Sequence, residues 1–211
     1  NMGWRQFVTA LIVFGSVLVT FIGFRLINDG SSFTEYKLTL FLFLGSMLSV
    51  AGYPLIFLME KIFGLVSNTR LQDLADPNNK LLRILAQKAP GTFQHSLQVM
   101  NLSDAAARSI DANVLLVRAG AMYHDIGKTE NPQCFVENEG VGAKYHDGLT
   151  PLESAKMIIN HVTDGMRLAE KYNLPTIISD FIITHHGTSC AAYFYNKYIQ
   201  EGGDPANADE F

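Results

Sequence analysis

The chain has 211 residues, and 48% of them are hydrophobic, which is enough apolar material to bury one full core. The formal net charge is −4 and no basic stripe runs along the chain, so a nucleic-acid polymer is not an expected partner. The two cysteines, Cys134 and Cys190, form no Cys-x-x-Cys pair, and we expect both to be reduced cytosolic thiols.

Two long apolar runs open the chain. Residues 7–24 contain no charged side chain, and neither do residues 38–59. Each run suits a membrane span, which needs roughly 20 apolar residues. We therefore predict transmembrane helices over about 7–27 and 37–59, joined by a short extracytoplasmic loop, in a membrane domain of residues 1–60. A pair of buried core helices, or a signal peptide in the first run, is the alternative interpretation.

Basic residues follow the second run, whereas the polar loop of residues 28–36 has none, and Arg25 at the end of the first span can reach the far interface. The basic residues that follow are Lys61, Arg70, Lys80 and Arg83. The positive-inside rule places the region beyond them in the cytosol. We expect a multi-pass protein of the cytoplasmic (inner) membrane, with the lipid bilayer as a partner and residues 61–80 as a juxtamembrane connector.

Beyond residue 80 the pattern is helical, and no segment shows the convincing alternation of a strand. Thr92 follows Pro90-Gly91 and is predicted to cap a helix that runs to about Arg108. Asn113 is predicted to cap the next helix, VLLVRAGAMYHD, whose apolar residues recur at helical spacing.

Residues 150–153 read TPLE, a capping box with proline at the first helical position. A helix is therefore predicted to begin at Pro151, with His161 near its end. Pro175 begins a further predicted helix, and Gly187 is a plausible stop after it. The predicted fold class is all-α, with residues 81–211 as one cytosolic domain.

The segment 131–150 is long, polar and rich in glycine, which is typical of a lid or binding loop. It contains the pair His146-Asp147, for which a lid or turn role is favoured over metal binding, because no apolar helix leads into it. Asp164 and Asp180 are interpreted as a helix cap and a surface charge rather than as ligands.

All six histidines lie beyond residue 90, and most are placed at predicted helix ends. His124-Asp125-Ile126-Gly127-Lys128 ends one apolar helix, and adjacent His185-His186 end another. A single histidine of this kind is more often a core or surface residue satisfied by hydrogen bonds. As a set, however, neutral imidazoles with a carboxylate suit divalent metals such as iron or manganese, and the two oxygens of Asp125 can bridge two ions.

Four segments in this order carry a family resemblance: APGTFQHS with His95, LLVRAGAMYHDIGKT, INHVTDG with His161, and HHGTSCAAYFY. Together they resemble the HD-domain phosphohydrolases, and more narrowly the bacterial seven-transmembrane HD proteins that hydrolyse cyclic di-AMP. The resemblance covers nearly all of the chain and implies an HD-type helical bundle after a transmembrane helical hairpin. HD-type enzymes for cyclic di-GMP usually carry HHE where this chain has HHG.

The resemblance also implies roles for individual residues. One divalent metal ion would be bound by His95, His124 and Asp125, and a second by Asp125, His161, His185 and His186. Asp125, as the bridge, and Lys128, as a positive contact to substrate phosphate, would be the catalytic residues. The implied enzyme is a metal-dependent phosphodiesterase that opens cyclic di-AMP to linear pApA by a hydroxide held between two ions, iron or manganese.

The sequence departs from the family pattern in two respects. It has two predicted spans where the family has about seven, and the family's last metal ligand, an Asp, is expected beyond Phe211, so the chain is interpreted as a C-terminally truncated fragment. Two alternatives stay open: an HD nucleotidase or dNTP phosphohydrolase, and a membrane receptor whose HD domain binds nucleotide without turnover. A homo-oligomer is compatible with either.

Overall fold

A computed structural model describes residues 2–28, 40–41, 44–45, 48, 52, 55, 58–60, 62–138, 140 and 145–211. The chain divides into two compact units, Asn1–Leu65 and Val66–Phe211. Every regular element among the described residues is helical, as the all-α prediction requires.

The first unit contains helix α1, Met2–Asn28. Two of its hydroxyls bond within the helix, because Ser16 Oγ donates to the Ile12 carbonyl and Thr20 Oγ1 to the Ser16 carbonyl, both at 2.8 Å. Much of the predicted second span, 37–59, and the loop before it lie outside the described residues. Within the described part of the chain, no helix has both the length and the apolar character that a membrane crossing requires.

The second unit is a bundle of seven α-helices with short 3-10 turns among the described residues. The helices are α2 Asn68–Leu74, α3 Lys80–Lys88, α4 Pro90–Ser109, α5 Val114–Tyr123, α6 Pro151–Lys171, α7 Thr176–Thr184 and α8 Ala192–Gln200. The 3-10 turns are Ile126–Thr129, Pro132–Cys134, Tyr145–Gly148 and Pro205–Glu210.

Leucines at helical spacing build the core of this unit. Leu81, Leu82 and Leu85 of α3 are each at most 1% exposed, and Leu71 and Leu74 of α2 join them. The two helices begin at ordinary polar caps: the side chains of Ser67 and Asn79 accept hydrogen bonds from backbone N–H groups of the first turns. Helix α4 packs on α3 and α5, and α5 packs on α7, so the core lies between these helices.

The cap predictions hold at two of three helices. Asn113 Oδ1 accepts from the Leu116 N–H at the start of α5, and the capping box of Thr150 and Glu153 is complete at the start of α6. The prediction for Thr92 is wrong, because α4 already begins at Pro90. Proline at the first helical position needs no partner for its missing N–H, which allows the earlier start.

The position of His161 near the end of its helix is also wrong. Helix α6 continues for ten residues beyond it, to Lys171. Asp164, expected to cap a helix, lies buried within the same helix and pairs with Asn160 and Arg167. Gly165 does not stop α6, because the helix packs through it onto the 3-10 turn of residues 126–129 and gains tertiary contacts there.

Gly127 sets how closely α6 approaches this turn. A Cβ atom at Gly127 would lie 1.8 Å from the carbonyl oxygen of His161 and 2.5 Å from the backbone nitrogen of Gly165. Both obstacles are backbone atoms, so neither can rotate out of the way. The absence of a side chain at Gly127 therefore brings the turn that follows His124-Asp125 against the middle of α6.

We expect Gly127→Ala to lower the free energy of unfolding by about 2–3 kcal/mol, because an overpacked methyl group would push α6 away from the turn. Urea denaturation followed by circular dichroism measures the change. Gly148→Ala is the control, because a Cβ there meets nothing within 4 Å, and it should stay within about 0.5 kcal/mol of the parent. Equal stability of the two variants would contradict the role of Gly127.

Candidate metal centre

The six predicted ligands come from four separate parts of the bundle and meet at one place. His95 lies in the second turn of α4, His161 in the middle of α6, and the others follow helix ends: His124 and Asp125 after α5, His185 and His186 after α7. Their side-chain ligand atoms form two groups, each within 4.8 Å. One group is His95, His124 and Asp125, and the other is Asp125, His161, His185 and His186.

Asp125 belongs to both groups. Its Oδ2 lies 3.1 Å from His124 Nε2 and 3.8 Å from His95 Nε2. Its Oδ1 lies 3.4 Å from His161 Nε2 and 3.3 Å from His185 Nε2. The Asp125 side chain is 3% exposed, so one buried carboxylate turns a different oxygen to each set of imidazoles.

Three of the imidazoles are oriented by the backbone. The Nδ1 atom of His124 lies 2.8 Å from the Ala121 carbonyl oxygen, His185 Nδ1 lies 2.9 Å from that of Ile182, and His161 Nδ1 contacts the Ile158 carbonyl. A carbonyl oxygen can only accept, so Nδ1 carries the proton in each ring. In the neutral ring, the Nε2 atom then carries no proton and has a free lone pair. This is the form of the ring that binds a metal.

Two of these lone pairs, those of His161 and His185, face one another. His161 Nε2 lies 3.3 Å from His185 Nε2 and 3.2 Å from His186 Nε2. Asp125 Oδ1, beside them, is buried and makes no hydrogen bond. Unprotonated acceptors held this close repel each other unless a cation lies among them. The cluster is therefore compatible with a divalent metal site, and its donor set of imidazoles and one carboxylate is the type that transition metals prefer.

The pKa shifts favour the metal-binding form of Asp125, His161 and His186 but not of His124. Burial would lower the pKa of His124, but the neighbouring Asp125 carboxylate outweighs it and raises that pKa. Burial alone would raise the pKa of the Asp125 carboxyl, but the His124 and His185 rings and the Lys128 charge outweigh it and hold that pKa far below its ordinary value. Burial and the neighbouring His185 and His161 lower the pKa of His186 to about 4. Burial also lowers the pKa of His161.

Lys128 adds a cation at the edge of the cluster. Its Nζ lies 2.9 Å from Asp125 Oδ2 and 2.8 Å from Glu137 Oε1, and its side chain is 13% exposed. Burial would lower the pKa of Lys128, but the two carboxylates outweigh it and raise that pKa. Lys128 is therefore charged at neutral pH. Glu137 was missed in the sequence, because nothing in its polar loop distinguishes it from an ordinary surface glutamate.

The second His-Asp pair does not join the cluster as the structure describes it. His146 lies in the 3-10 turn Tyr145–Gly148, and its Nε2 donates to the carbonyl oxygen of Cys134 at 2.9 Å. Asp147 is exposed. The preference for a turn role over metal binding agrees with this arrangement. Cys134 and Cys190 are both free thiols.

Comparison with known proteins assigns this bundle to a family. Residues 92–207 match the family model described as HD domain. The chain belongs to the HD-domain family. The match contains all six residues of the two ligand groups, from His95 to His186.

Two curated HD-domain relatives carry the name cyclic-di-AMP phosphodiesterase PgpH. The protein from Listeria monocytogenes is 46% identical over 160 residues, covering 76% of this chain and 22% of the relative. The protein from Bacillus subtilis is 43% identical over 169 residues, covering 80% of this chain and 23% of the relative. The chain thus spans less than a quarter of the length of these relatives.

A solved HD domain is also similar. The crystal structure of the L. monocytogenes PgpH HD domain in complex with cyclic di-AMP superposes with a TM-score of 0.61 at 45% sequence identity. The alignment covers 64% of this chain and 63% of that one. At 45% identity, the two domains are similar in amino-acid sequence as well as in fold.

We expect Mn²⁺ to raise the melting temperature of the metal-depleted HD domain, because an ion that binds only the folded cluster stabilises it by mass action. At a concentration 100 times the Kd, the gain is about 2.7 kcal/mol. Differential scanning fluorimetry with Mn²⁺ and with EDTA measures it. Asp125→Asn should abolish the response and Asp147→Asn, the matched change in the other His-Asp pair, should retain it. A full response in Asp125→Asn would exclude the cluster as the metal site.

Proposed function

We propose that this chain is a metal-dependent phosphodiesterase that hydrolyses a cyclic dinucleotide, cyclic di-AMP, to linear pApA. One observation carries the proposal: a carboxylate shared by two groups of histidines lies in an HD domain 45% identical to one solved with cyclic di-AMP. The named activity of the two curated relatives supports the same substrate.

The proposed ligands of one ion are His95, His124 and Asp125, and those of the other are Asp125, His161, His185 and His186. Support comes from the distances within each group and from the inward-facing Nε2 lone pairs. We assign the ions to iron or manganese, because mixed imidazole and carboxylate ligands suit both. When bound, two such ions supply positive charge to the phosphoryl oxygens and acidify water for attack.

The residues of the chain prepare the site for this chemistry. Asp125 is ionised and buried, so it presents negative charge to both ion positions without competing solvent. The backbone carbonyls of Ala121, Ile158 and Ile182 hold three imidazoles in one tautomer and orientation. Lys128, charged and beside Asp125, is placed to contact a phosphate oxygen of the substrate.

The metal-loaded 211-residue chain should convert cyclic di-AMP to pApA. Asp125→Ala should lower kcat by more than roughly 100-fold, because that is the cost of losing a residue that only hydrogen-bonds to a metal ligand, and Asp125 is proposed as a ligand itself. His124→Ala should have a similar effect. Chromatography of the products measures both, with Asp147→Ala as the control of near-parent activity. Parent-like turnover by Asp125→Ala and His124→Ala would disprove the proposed mechanism.

The same assay with cyclic di-GMP tests the nucleotide. Faster hydrolysis of cyclic di-GMP would refute cyclic di-AMP as the substrate while leaving the phosphodiesterase intact. Tight binding of cyclic di-AMP by the metal-loaded chain without formation of pApA would instead favour a receptor.

We also propose that the first unit associates with the lipid bilayer, so that the HD domain works at the cytosolic surface of the inner membrane. Support comes from the charge-free runs 7–24 and 38–59 and from the exposed apolar side chains of α1, of which Ile12 is 63% and Val19 69% exposed. The basic residues after the second run favour the cytosolic side.

The 211-residue chain should stay in the membrane pellet after an alkaline carbonate wash. Ile12→Lys combined with Val19→Lys should move it toward the soluble fraction, because a lysine in the bilayer centre costs about 3 kcal/mol. Leu102→Lys, at a residue 73% exposed on α4, is the control and should leave the distribution unchanged. Recovery of the parent in the soluble fraction would rule out membrane association.

A further inference from the structure

Glu137 lies outside both ligand groups but contacts the cation beside them. Its Oε1 lies 2.8 Å from Lys128 Nζ, and the same Nζ lies 2.9 Å from Asp125 Oδ2. The ring of Phe135 lies under the ammonium, with Nζ 4.7 Å from its centroid. Lys128 is thus held on three sides. An ammonium has three N–H donors, so two are used by the carboxylates and the third is left for another oxygen.

Glu137 is itself anchored from a distant part of the chain. The Thr92 hydroxyl, which is fully buried, donates to Glu137 Oε1 at 3.1 Å. The same hydroxyl accepts from Asn138 Nδ2 at 2.7 Å, and the Thr92 N–H donates to Asn138 Oδ1 at 3.0 Å. Glu137 and Asn138, which are consecutive in the loop, therefore both hydrogen-bond to Thr92 in the first turn of α4. These hydrogen bonds fix the position of the Glu137 carboxylate.

The backbone at Gly91 allows the loop to approach Thr92 closely. A Cβ atom at Gly91 would lie 1.8 Å from the Glu137 carbonyl oxygen, so the loop can reach Thr92 only because residue 91 has no side chain. The chain of contacts runs from the start of α4 through Thr92, Glu137 and Lys128 to Asp125. His95 lies on the same helix, one turn after Thr92.

This contact differs from an ordinary surface ion pair. The Lys128 and Glu137 side chains are 13% and 28% exposed, whereas Lys156 and Glu210, paired at 2.7 Å, are 57% and 50% exposed. Exposed pairs exchange with water and hold neither partner in place. Lys128 without Glu137 would keep one carboxylate partner, Asp125, whose oxygens belong to the metal groups.

We propose that Glu137 is a positioning residue: it holds the Lys128 ammonium beside the metal cluster, with one N–H free for a phosphate oxygen of the substrate. The effect on catalysis rests on the proposed phosphodiesterase function, whereas the restraint on Lys128 is a property of the folded domain alone. Glu137 touches neither substrate nor metal in this proposal and acts through Lys128.

The first test measures the restraint without turnover. The metal-depleted 211-residue chain is treated with an amine-acetylating reagent, and the rate at Lys128 is followed by peptide mass spectrometry. Glu137→Ala should raise this rate several-fold, and Glu137→Gln, which retains acceptors for Lys128 and Thr92, should raise it less. Glu210→Ala, which removes the exposed pair, should leave the Lys128 rate unchanged. An unchanged rate in folded Glu137→Ala and Glu137→Gln would overturn the proposal.

The second test uses a double-mutant cycle on the hydrolysis of cyclic di-AMP. Glu137→Ala should lower kcat by about 10- to 100-fold with a smaller change in KM, since a displaced catalytic contact costs this much. Lys128→Met should lower kcat at least as far, and adding Glu137→Ala to it should cause no further loss. Multiplicative effects would overturn the proposal, because they would show that Glu137 acts independently of Lys128.

The two tests separate this proposal from the function on which it rests. If the parent failed to hydrolyse cyclic di-AMP, the proposed function would fail, and the acetylation rates would still decide whether Glu137 restrains Lys128. If the parent hydrolysed cyclic di-AMP and the rates did not change, only the positioning role would be lost.

Discussion

The second unit is organised around the buried carboxylate of Asp125, on which two groups of histidines converge. Asp125 is 3% exposed and faces imidazoles from three other elements, and the rings whose Nδ1 atoms donate to backbone carbonyls turn their Nε2 atoms toward it. Burying a charge without a partner is costly, so such an arrangement persists only where cations compensate. The ammonium of Lys128 compensates one oxygen, and the two histidine groups are compatible with further positive charge from divalent metal ions.

The helices of the bundle bring the ligand side chains together. Helix ends bring short ligand-bearing turns to one place, and the close contact at Gly127 brings the middle of α6 to the same point. Because that contact is between backbone atoms, it cannot relax by a change of rotamer. The ligand groups consequently lie on helices and on the turns that directly follow them, which favours a fixed geometry.

Helix caps were predicted correctly at two helices, whereas two helix bounds were predicted wrongly, and the difference has a physical cause. The caps at Asn113 and Thr150 were predicted because a cap is a contact between residues at most three positions apart. The start of α4 and the length of α6 beyond His161 were mistaken. The earlier start of α4 has a local cause, because proline is well suited to the first helical position. In α6, tertiary packing at Gly165 carries the helix past the point where local signals favour an end.

The sequence by itself determined the all-α class of the second unit and the identity of the clustered histidines with Asp125, because helical periodicity and ordered motifs are local. Which oxygen of Asp125 serves which group, the tautomers of the rings, and the roles of Thr92 and Glu137 were decided only by tertiary structure. Glu137 lies 45 residues from Thr92 and 9 from Lys128, so no spacing rule connects them. These contacts exist because the loop, the first turn of α4 and the turn after His124 pack at one place, and that packing depends on the whole bundle.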